Sequence, residues 1–172
     1  YGGPIIGRYL IEQGYREDDD VIVVSPDVGG VGRARSLAEM LHSPLAILAK
    51  RRSEPNKVDS VEIIGEVDGK RCIMIDDMID TGRSVVQGAE ALIESGAIEV
   101  MACGTHAVFS GSAPQTLQES VLSRVVAMDT VPIPQEKQFA KLTMLPIAPL
   151  LGEAIKRIHL NRSVSTLFDD WR

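Results

Sequence analysis

The sequence predicts a doubly wound α/β domain with a mainly parallel sheet. Short, almost wholly apolar runs recur along the chain, as expected for parallel strands that are covered on both faces. The runs are Val21–Val24, Leu45–Leu48, Cys72–Ile75, Val100–Cys103, Val125–Met128 and Leu142–Leu145. Segments of helical period separate these runs, and such alternation of strand and helix is typical of a doubly wound sheet.

The helical segments can be placed in chain order. The first begins near Pro4, a residue suited to the first helical position, and it continues to Leu10. The later helices carry apolar stripes at helical spacing: Ala34, Leu37, Ala38 and Leu41; Val85, Ala89 and Leu92; and Ile147, Leu150, Leu151, Ala154, Ile155 and Ile158. Because the chain starts at Tyr1 and not at Met, with a helix already beginning, we expect a domain entered partway through a longer polypeptide.

Two segments interrupt this alternation. Residues 49–60, with the sequence AKRRSEPNKVDS, are polar and basic and are predicted to form a mobile loop. Val61–Val67, followed by Asp68 and Gly69, is predicted to form a hairpin that leads into the next strand.

The composition restricts the class of protein. Hydrophobic residues make up 44% and charged residues 24%, the usual balance for a soluble globular domain. No apolar run reaches the ~20 residues of a membrane span, and the formal net charge of -6 disfavours non-specific binding to nucleic acid. Cys72 and Cys103 lie inside apolar runs and are expected to be buried thiols. These features predict a cytoplasmic protein, with an organelle stroma or matrix also compatible.

The segment from Asp76 to Ser84 carries the strongest chemical signal. A buried strand is expected to end at Ile75, and a helix is expected to start near Thr81 or Gly82, so the segment lies where open α/β sheets bind ligands. Backbone N–H groups and hydroxyls at a helix N-terminus favour a phosphate monoester. Nearby aspartates can accept hydrogen bonds from sugar hydroxyls or hold a divalent cation. The candidate sugar-phosphate residues are Asp76, Asp77, Asp80, Thr81, Gly82, Arg83 and Ser84.

A simpler interpretation of this segment is an acidic turn with a Thr or Ser helix cap. That interpretation accounts for the helix start. It does not account for three aspartates around one turn that favours phosphate, so we favour the binding site.

Two other segments have weaker signals. Ser25–Gly30 again joins a buried strand to a helix, with Asp27 as a candidate Mg²⁺ ligand and glycines that permit close ligand approach. In isolation, a structural turn with Arg33 and Arg35 on the surface is equally compatible. Lys50–Arg52 is a run of three cations that composition alone assigns to a solvated surface.

The residues DDMIDTGRS at 76–84 resemble the ribose 5-phosphate loop shared by type I phosphoribosyltransferases and ribose-phosphate pyrophosphokinases, the synthetases of phosphoribosyl pyrophosphate (PRPP). Four further segments resemble the pyrophosphokinases, in the same order: Val21–Arg35, Leu45–Asn56, Thr105–Gly111 and Ser163–Phe168. The similarity spans nearly the whole chain but only the C-terminal half of that family's subunit. It implies that residues 1–172 form one domain of the type I phosphoribosyltransferase kind, the C-terminal domain of a two-domain subunit.

The resemblance implies a reaction and roles for the candidate residues. The pyrophosphoryl group of Mg-ATP would pass to the 1-hydroxyl of ribose 5-phosphate, giving PRPP and AMP. Lys50 and Arg52 would be catalytic, with Arg52 also at ribose 5-phosphate, while Arg51 is less certain. Asp27 would hold Mg²⁺, and Gly29 and Gly30 would lie near the pyrophosphate.

The resemblance also implies partners. The family forms homo-oligomers, hexamers built from dimers. A phosphate or ADP effector would bind near Ser163, Ser165 and Phe168. His106 is expected to be a hydrogen-bonding residue, without a catalytic role.

Two departures from the family pattern occur, neither of which removes a group needed for the implied chemistry. Gly82-Arg83-Ser84 replaces the usual Gly-Thr ending of the loop, and Ala49 stands where Asp is common.

Two alternatives remain open from the sequence. A phosphoribosyltransferase that consumes PRPP would need a base-recognition hood, for which there is no candidate segment. A non-catalytic regulatory subunit would be expected to have a degraded basic loop or ribose loop, and both are present. The chain alone is expected to bind ribose 5-phosphate but to turn over slowly or not at all without the N-terminal half.

Overall fold

Seven strands form one sheet in the computed structural model, which describes residues 2–51 and 60–167. The strands are β1 (Val21–Ser25), β2 (Leu45–Arg51), β3 (Ser60–Ile64), β4 (Arg71–Ile79), β5 (Glu99–Ala107), β6 (Arg124–Met128) and β7 (Leu142–Leu145). Their order is β3-β2-β1-β4-β5-β6-β7, and every pairing is parallel except the antiparallel pairing of β2 with β3. The predicted mainly parallel sheet is confirmed, and all six apolar runs lie in strands.

Helices cover both faces of this sheet. They are α1 (Gly3–Glu12), α2 (Val31–Leu41), α3 (Arg83–Glu94), α4 (Ala113–Glu119) and α5 (Ala148–His159), with a 3₁₀ helix at Gln135–Lys137. α1 and α2 pack on one face together with Ile73 and Ile75, whereas α3 and α4 pack on the other face together with Cys72 and Met74. Alternate residues of β4 therefore serve two hydrophobic cores, as expected for a strand buried on both sides.

The predicted stripes of α2 and α3 are confirmed as core residues. Each stripe residue is at most 6% exposed, from Ala34 to Leu41 on α2 and from Val85 to Leu92 on α3. Burying one of the leucine or valine side chains in these stripes stabilises the fold by roughly 1.5–3 kcal/mol. Cys72 and Cys103 are buried free thiols, as expected, and burial raises the pKa of each to about 12.

α5 forms where the apolar stripe predicts it, but it contributes no buried residue. Leu151, Ile155 and Ile158 are exposed, the last two by 67% and 64%, so this part of the stripe faces outward, whereas Ile147 packs against the core. Periodicity reports that one face of a helix is apolar, and it does not report what covers that face.

The predicted hairpin at Val61–Val67 is wrong in its partner. β3 pairs antiparallel with the preceding strand β2, with Leu48 opposite Ile63, and it lies at the sheet edge, away from β4. The predicted loop at 49–60 is also wrong at its ends, because β2 continues to Arg51 and β3 begins at Ser60. Strand pairing here continues through polar residues, which an apolar pattern does not detect.

β4 and β5 likewise extend beyond their apolar runs. β4 was predicted to end at Ile75 but reaches Ile79, and β5 continues past its apolar run to Ala107, so His106 lies inside the strand. The two strands pair from Arg71↔Glu99 to Ile79↔Ala107, so each supplies backbone partners to the other where polar residues begin. None of the helices in the described ranges has the length and hydropathy of a membrane span.

Candidate functional site

The candidate site lies between β1 and β4, which are neighbours in the sheet but not consecutive in the chain. β1 leads into α2 on one face, and β4 leads into α3 on the opposite face. Chain connections that leave a parallel sheet in opposite directions open a crevice at the carboxyl ends of the two strands. Both turns that the sequence selected, Ser25–Gly30 and Asp76–Ser84, lie at this crevice.

The β1–α2 turn is held by short hydrogen bonds around Asp27. Ser25 Oγ donates to the carbonyl oxygen of Asp27 at 2.7 Å, and Gly30 N–H donates to Asp27 Oδ1 at 2.7 Å. A Cβ at Gly30 would lie 3.0 Å from Ser25 Oγ and 3.3 Å from Arg33 Nη1. A side chain at position 30 would therefore crowd Ser25 and Arg33, and with glycine the turn keeps the exposed Asp27 carboxylate beside an unobstructed backbone.

Arg33 connects this turn to the end of β4. Its Nη1 lies 3.1 Å from Asp76 Oδ1, and its Nη2 lies 2.9 Å from Asp77 Oδ2. The backbone N–H of Asp77 also donates to Asp76 Oδ1 at 2.8 Å. The two predicted sugar-binding carboxylates are thus held side by side by one guanidinium.

The electrostatics of Asp76 follow from this environment. Burial raises the pKa of Asp76, and the neighbouring Asp77 raises it further, whereas the Asp77 backbone N–H and Arg33 lower it. The Asp76 side chain is 28% exposed and that of Asp77 is 65% exposed, so the pair combines one recessed carboxylate with one open to solvent.

The loop between β4 and α3 presents a helix N-terminus. β4 ends at Ile79 and α3 begins at Arg83, with Gly82 as N-cap in a left-handed conformation (φ 76°). No side chain caps the helix, so the simpler interpretation, an acidic turn with a Thr or Ser cap, is wrong. Free N–H groups in the first turn of a helix are suited to bind a phosphate.

The polar side chains of this loop face outward, where a ligand can reach them. Asp80, Thr81, Arg83 and Ser84 are all exposed. The backbone carbonyl of Asp80 accepts from Ser110 N–H at 3.1 Å, which ties the loop to the segment after β5. The predicted ribose 5-phosphate residues other than Arg52 thus form one continuous segment from the end of β4 to the first turn of α3, and their role stays a prediction.

The catalytic roles expected for Lys50 and Arg52 stay predictions. Lys50 lies in β2, which runs parallel to β1, so its backbone is at the same sheet edge as the crevice. Arg52 lies outside the described residues, as does Phe168.

The carboxylates at the crevice fit Mg²⁺ only as an ion that is also bound by substrate phosphates. No group of three or more His, Cys, Asp or Glu side chains with metal-binding geometry occurs within residues 2–51 and 60–167. Mg²⁺ commonly binds through one or two carboxylates together with substrate phosphates. Asp27 therefore fits an ion that arrives with a nucleotide, and it does not by itself make a resident metal site.

A cavity of about 590 Å³ adjoins the acidic pair and includes residues that the sequence did not select. Arg33, Asp77, His106 and Thr130 are among its lining residues. Thr130 Oγ1 donates to the carbonyl oxygen of Thr105 at 3.0 Å, so His106 Nδ1, 2.8 Å away, must be the donor to that hydroxyl. His106 is thus a hydrogen-bonding residue, as expected.

The tail after α5 is tied to that helix. Arg157 Nη1 donates to the carbonyl oxygen of Ser163 at 3.1 Å, and the hydroxyls of Ser163 and Ser165 lie 2.7 Å apart. The effector site expected near these serines stays a prediction.

Arg33 and Thr130 are the residues at the site that sequence reasoning missed. Each interacts with residues more than 20 positions away in the chain, so no local spacing reveals the contact. The sequence did contain one usable signal for Arg33. A cation in the first turn of α2 opposes the helix dipole, which indicates that nearby anions stabilise it.

A family model and comparisons with known protein sequences indicate the same family for this chain. The model of the phosphoribosyl synthetase-associated domain matches residues 50–169. A ribose-phosphate pyrophosphokinase of Caldanaerobacter subterraneus subsp. tengcongensis is 50% identical over 167 residues, covering 97% of this chain and 52% of that protein. One from Clostridium acetobutylicum is 49% identical over 169 residues, covering 98% and 53%. The chain spans about half the length of the curated relatives it matches.

Solved structures agree with this assignment. The phosphoribosylpyrophosphate synthetase from Mycobacterium smegmatis superposes with a TM-score of 0.85 at 38% identity, covering 93% of this chain and 51% of that one. A purine phosphoribosyltransferase from Pyrococcus horikoshii has a TM-score of 0.50 at 17% identity, covering 84% of each chain. The second likeness concerns the fold alone, and it agrees with the expected type I phosphoribosyltransferase kind.

Proposed function

The chain belongs to the phosphoribosyl synthetase-associated domain family, and on that premise we propose that it is the acceptor-binding half of a ribose-phosphate pyrophosphokinase. The reaction transfers the β,γ-pyrophosphoryl group of Mg-ATP to the 1-hydroxyl of ribose 5-phosphate, giving PRPP and AMP. The single observation that carries the proposal is the meeting of the acidic pair Asp76/Asp77 with the uncapped N-terminus of α3 at one sheet crevice.

Ribose 5-phosphate matches this arrangement at both of its ends. The 5-phosphate binds the loop from Asp80 to Ser84, where helix N–H groups, two hydroxyls and the Arg83 guanidinium are available. The carboxylates of Asp76 and Asp77 accept hydrogen bonds from the sugar hydroxyls. The 1-hydroxyl is thereby placed toward the β1–α2 turn for attack on the β-phosphorus.

The donor side of the site is the β1–α2 turn. Gly29 and Gly30 let phosphate oxygens approach the backbone, and the Asp27 carboxylate is placed to accompany a magnesium-bound nucleotide. Magnesium, when bound with the nucleotide, would neutralise charge on the transferred group. Lys50 and Arg52 would stabilise the charge that develops between leaving and attacking oxygens, so positioning and electrostatics suffice without a covalent enzyme intermediate.

A phosphoribosyltransferase that consumes PRPP would share the ribose 5-phosphate loop. The pyrophosphokinase is favoured because the similarity to that family covers nearly the whole chain at about half identity, whereas the phosphoribosyltransferase likeness is at fold level. We also propose that the protein works in the cytoplasm and in a homo-oligomer.

Ser84→Ala tests the acceptor site. Titration calorimetry with ribose 5-phosphate should show an affinity roughly tenfold or more below that of the unmodified chain, because a hydrogen bond to a charged group contributes ~1.5–3 kcal/mol. Ser95→Ala is the matched control, since Ser95 is an exposed serine at the opposite end of the same helix. Equal affinities of the Ser84→Ala variant and the unmodified chain, or no binding by the unmodified chain, would refute the assignment.

A further inference from the structure

Arg33 lies between the two turns of the proposed site and touches both predicted sugar-binding carboxylates. The two terminal nitrogens of its guanidinium contact different carboxylates: Nη1 lies 3.1 Å from Asp76 Oδ1, and Nη2 lies 2.9 Å from Asp77 Oδ2. The fork of a guanidinium fixes the relative orientation of two such partners in a way that a point charge does not. One oxygen of each carboxylate stays outside this contact.

We propose that Arg33 is a positioning residue for ribose 5-phosphate, which holds Asp76 and Asp77 in the orientation that receives the sugar hydroxyls. This inference rests on the proposed function, because it names how the acceptor site of that reaction is prepared. Arg33 acts through the two carboxylates and does not itself need to touch the substrate.

The charges around the pair explain why such a residue is required. Asp76 and Asp77 are adjacent in sequence, and Asp76 is recessed, so mutual repulsion and burial both oppose two ionised carboxylates. Arg33 is the cation that forms ion pairs with them within the described part of the chain. Its removal would leave two like charges to separate or one of them to take up a proton.

The guanidinium also lies beside the donor side of the crevice. A Cβ added at Gly30 would be 3.3 Å from Arg33 Nη1, and Gly30 N–H donates to Asp27 Oδ1 at 2.7 Å. Arg33 therefore lies next to the β1–α2 turn while it forms ion pairs with Asp76 and Asp77.

Ribose 5-phosphate affinity of Arg33→Gln, Arg33→Lys, Asp77→Asn and Arg33→Gln/Asp77→Asn, measured by titration calorimetry, tests the proposal. Arg33→Gln should weaken binding by about tenfold, and Arg33→Lys should recover part of the loss because it keeps the charge without the fork. The double variant should lose less than the product of the two single losses, since each single change removes the same contact. Circular dichroism and thermal unfolding establish that each variant is folded.

The matched control is Arg35→Gln, which removes the same charge from the same helix at an exposed position. Its affinity for ribose 5-phosphate should stay unchanged. Equal affinities of Arg33→Gln and Arg35→Gln, or fully multiplicative losses in the double variant, would overturn the inference.

A second measurement separates this inference from the proposed function. Nitrogen-15 NMR of the Arg33 guanidinium in the free protein should show restricted rotation that disappears in Asp76→Asn/Asp77→Asn. If the unmodified chain binds no ribose 5-phosphate, the proposed function fails, and these spectra alone decide whether Arg33 organises the pair. A freely rotating guanidinium in the unmodified protein would refute the positioning role by itself.

Discussion

At the scale of single residues, the acidic pair shows a conflict between stability and binding. Burial and a neighbouring like charge raise the pKa of Asp76, which means that its ionised form is disfavoured in the folded chain. The same ionised form is the one that accepts hydrogen bonds from a diol. Groups that destabilise a fold in this way occur preferentially at functional sites.

Asp76→Asn should therefore favour stability of the fold and weaken ligand binding. A folded-state pKa above the unfolded value means that Asp76 favours folding fully below about pH 4, its ordinary range, and less as the pH rises through the folded value. The Tm of Asp76→Asn minus the Tm of the unmodified chain should therefore be more positive at pH 7 than at pH 4. Its affinity for ribose 5-phosphate should fall by about tenfold at pH 7.

Thermal unfolding at the two pH values and calorimetry with ribose 5-phosphate measure both effects. Asp19→Asn serves as control, because Asp19 is exposed in the turn before β1, at the opposite edge of the sheet. If the Tm difference between Asp76→Asn and the unmodified chain is more negative at pH 7 than at pH 4, the expectation is wrong.

The residue scale also shows how far sequence reasoning reaches. Asp76, Asp77 and Ser84 could be selected because carboxylates and hydroxyls after a buried strand point to ligand chemistry wherever they occur. Arg33 could not be paired with Asp76, because the two are separated by 43 positions and meet only across neighbouring strands. Periodicity and local spacing describe neighbours along the chain, not contacts between distant elements.

At the scale of secondary-structure elements, the start of α3 is set by a backbone feature and not by a capping side chain. Gly82 adopts φ 76°, and a Cβ there would lie 3.1 Å from two carbon atoms of the Leu117 side chain in α4. The loop is therefore packed closely against a neighbouring helix on its inner side while its polar side chains face outward. This packing would restrict the backbone conformations of the turn that we propose as the phosphate site.

Gly82→Ala should destabilise the chain by about 1–2 kcal/mol or more, from the left-handed backbone and from crowding of Leu117. Gly69→Ala is the matched control, because Gly69 has a similar φ of 69° but no atom within 4 Å of the added Cβ. Urea unfolding of both variants separates the two causes: the excess loss in Gly82→Ala measures the crowding. Equal losses would show that Leu117 moves aside freely.

The elements that sequence reasoning placed correctly share one property. Each has an apolar pattern that spans most of its length, as in β1, α2 and α3. β3 and the ends of β2, β4 and β5 were misplaced because polar residues there pair through the backbone, which any residue except proline can do. α4 was missed because only Ala113 and Leu117 of its seven residues are buried.

At the scale of the whole molecule, the proposed function makes this chain one side of a two-sided reaction. The chain carries the proposed acceptor loop, the acidic pair and the β1–α2 turn, and it spans about half the length of the relatives it matches. The proposed donor side is represented at the crevice by Asp27, Gly29 and Gly30. The exposed apolar face of α5 is a further property of the chain taken alone.

AMP release from Mg-ATP and ribose 5-phosphate should accordingly be slow for this chain alone. Adding the N-terminal half of a relative, such as the Caldanaerobacter protein, should raise the rate at least tenfold if the two halves associate, because it restores residues of the nucleotide side. The Ser84→Ala variant with the same added half should stay slow, which controls for activity of the added segment. A full rate from the chain alone would contradict this expectation.

The crevice between β1 and β4 also has a consequence for how the molecule folds. Val21 in β1 pairs with Arg71 in β4, although β2 and β3 lie between these two strands in the chain. The two turns therefore meet only after the centre of the sheet has assembled. No local fragment can contain the site, and non-local pairing of this kind forms late and slowly. A sugar phosphate bound there would recognise only the completed sheet. Such a ligand would shift the folding equilibrium of the entire domain and protect segments far from the crevice against proteolysis.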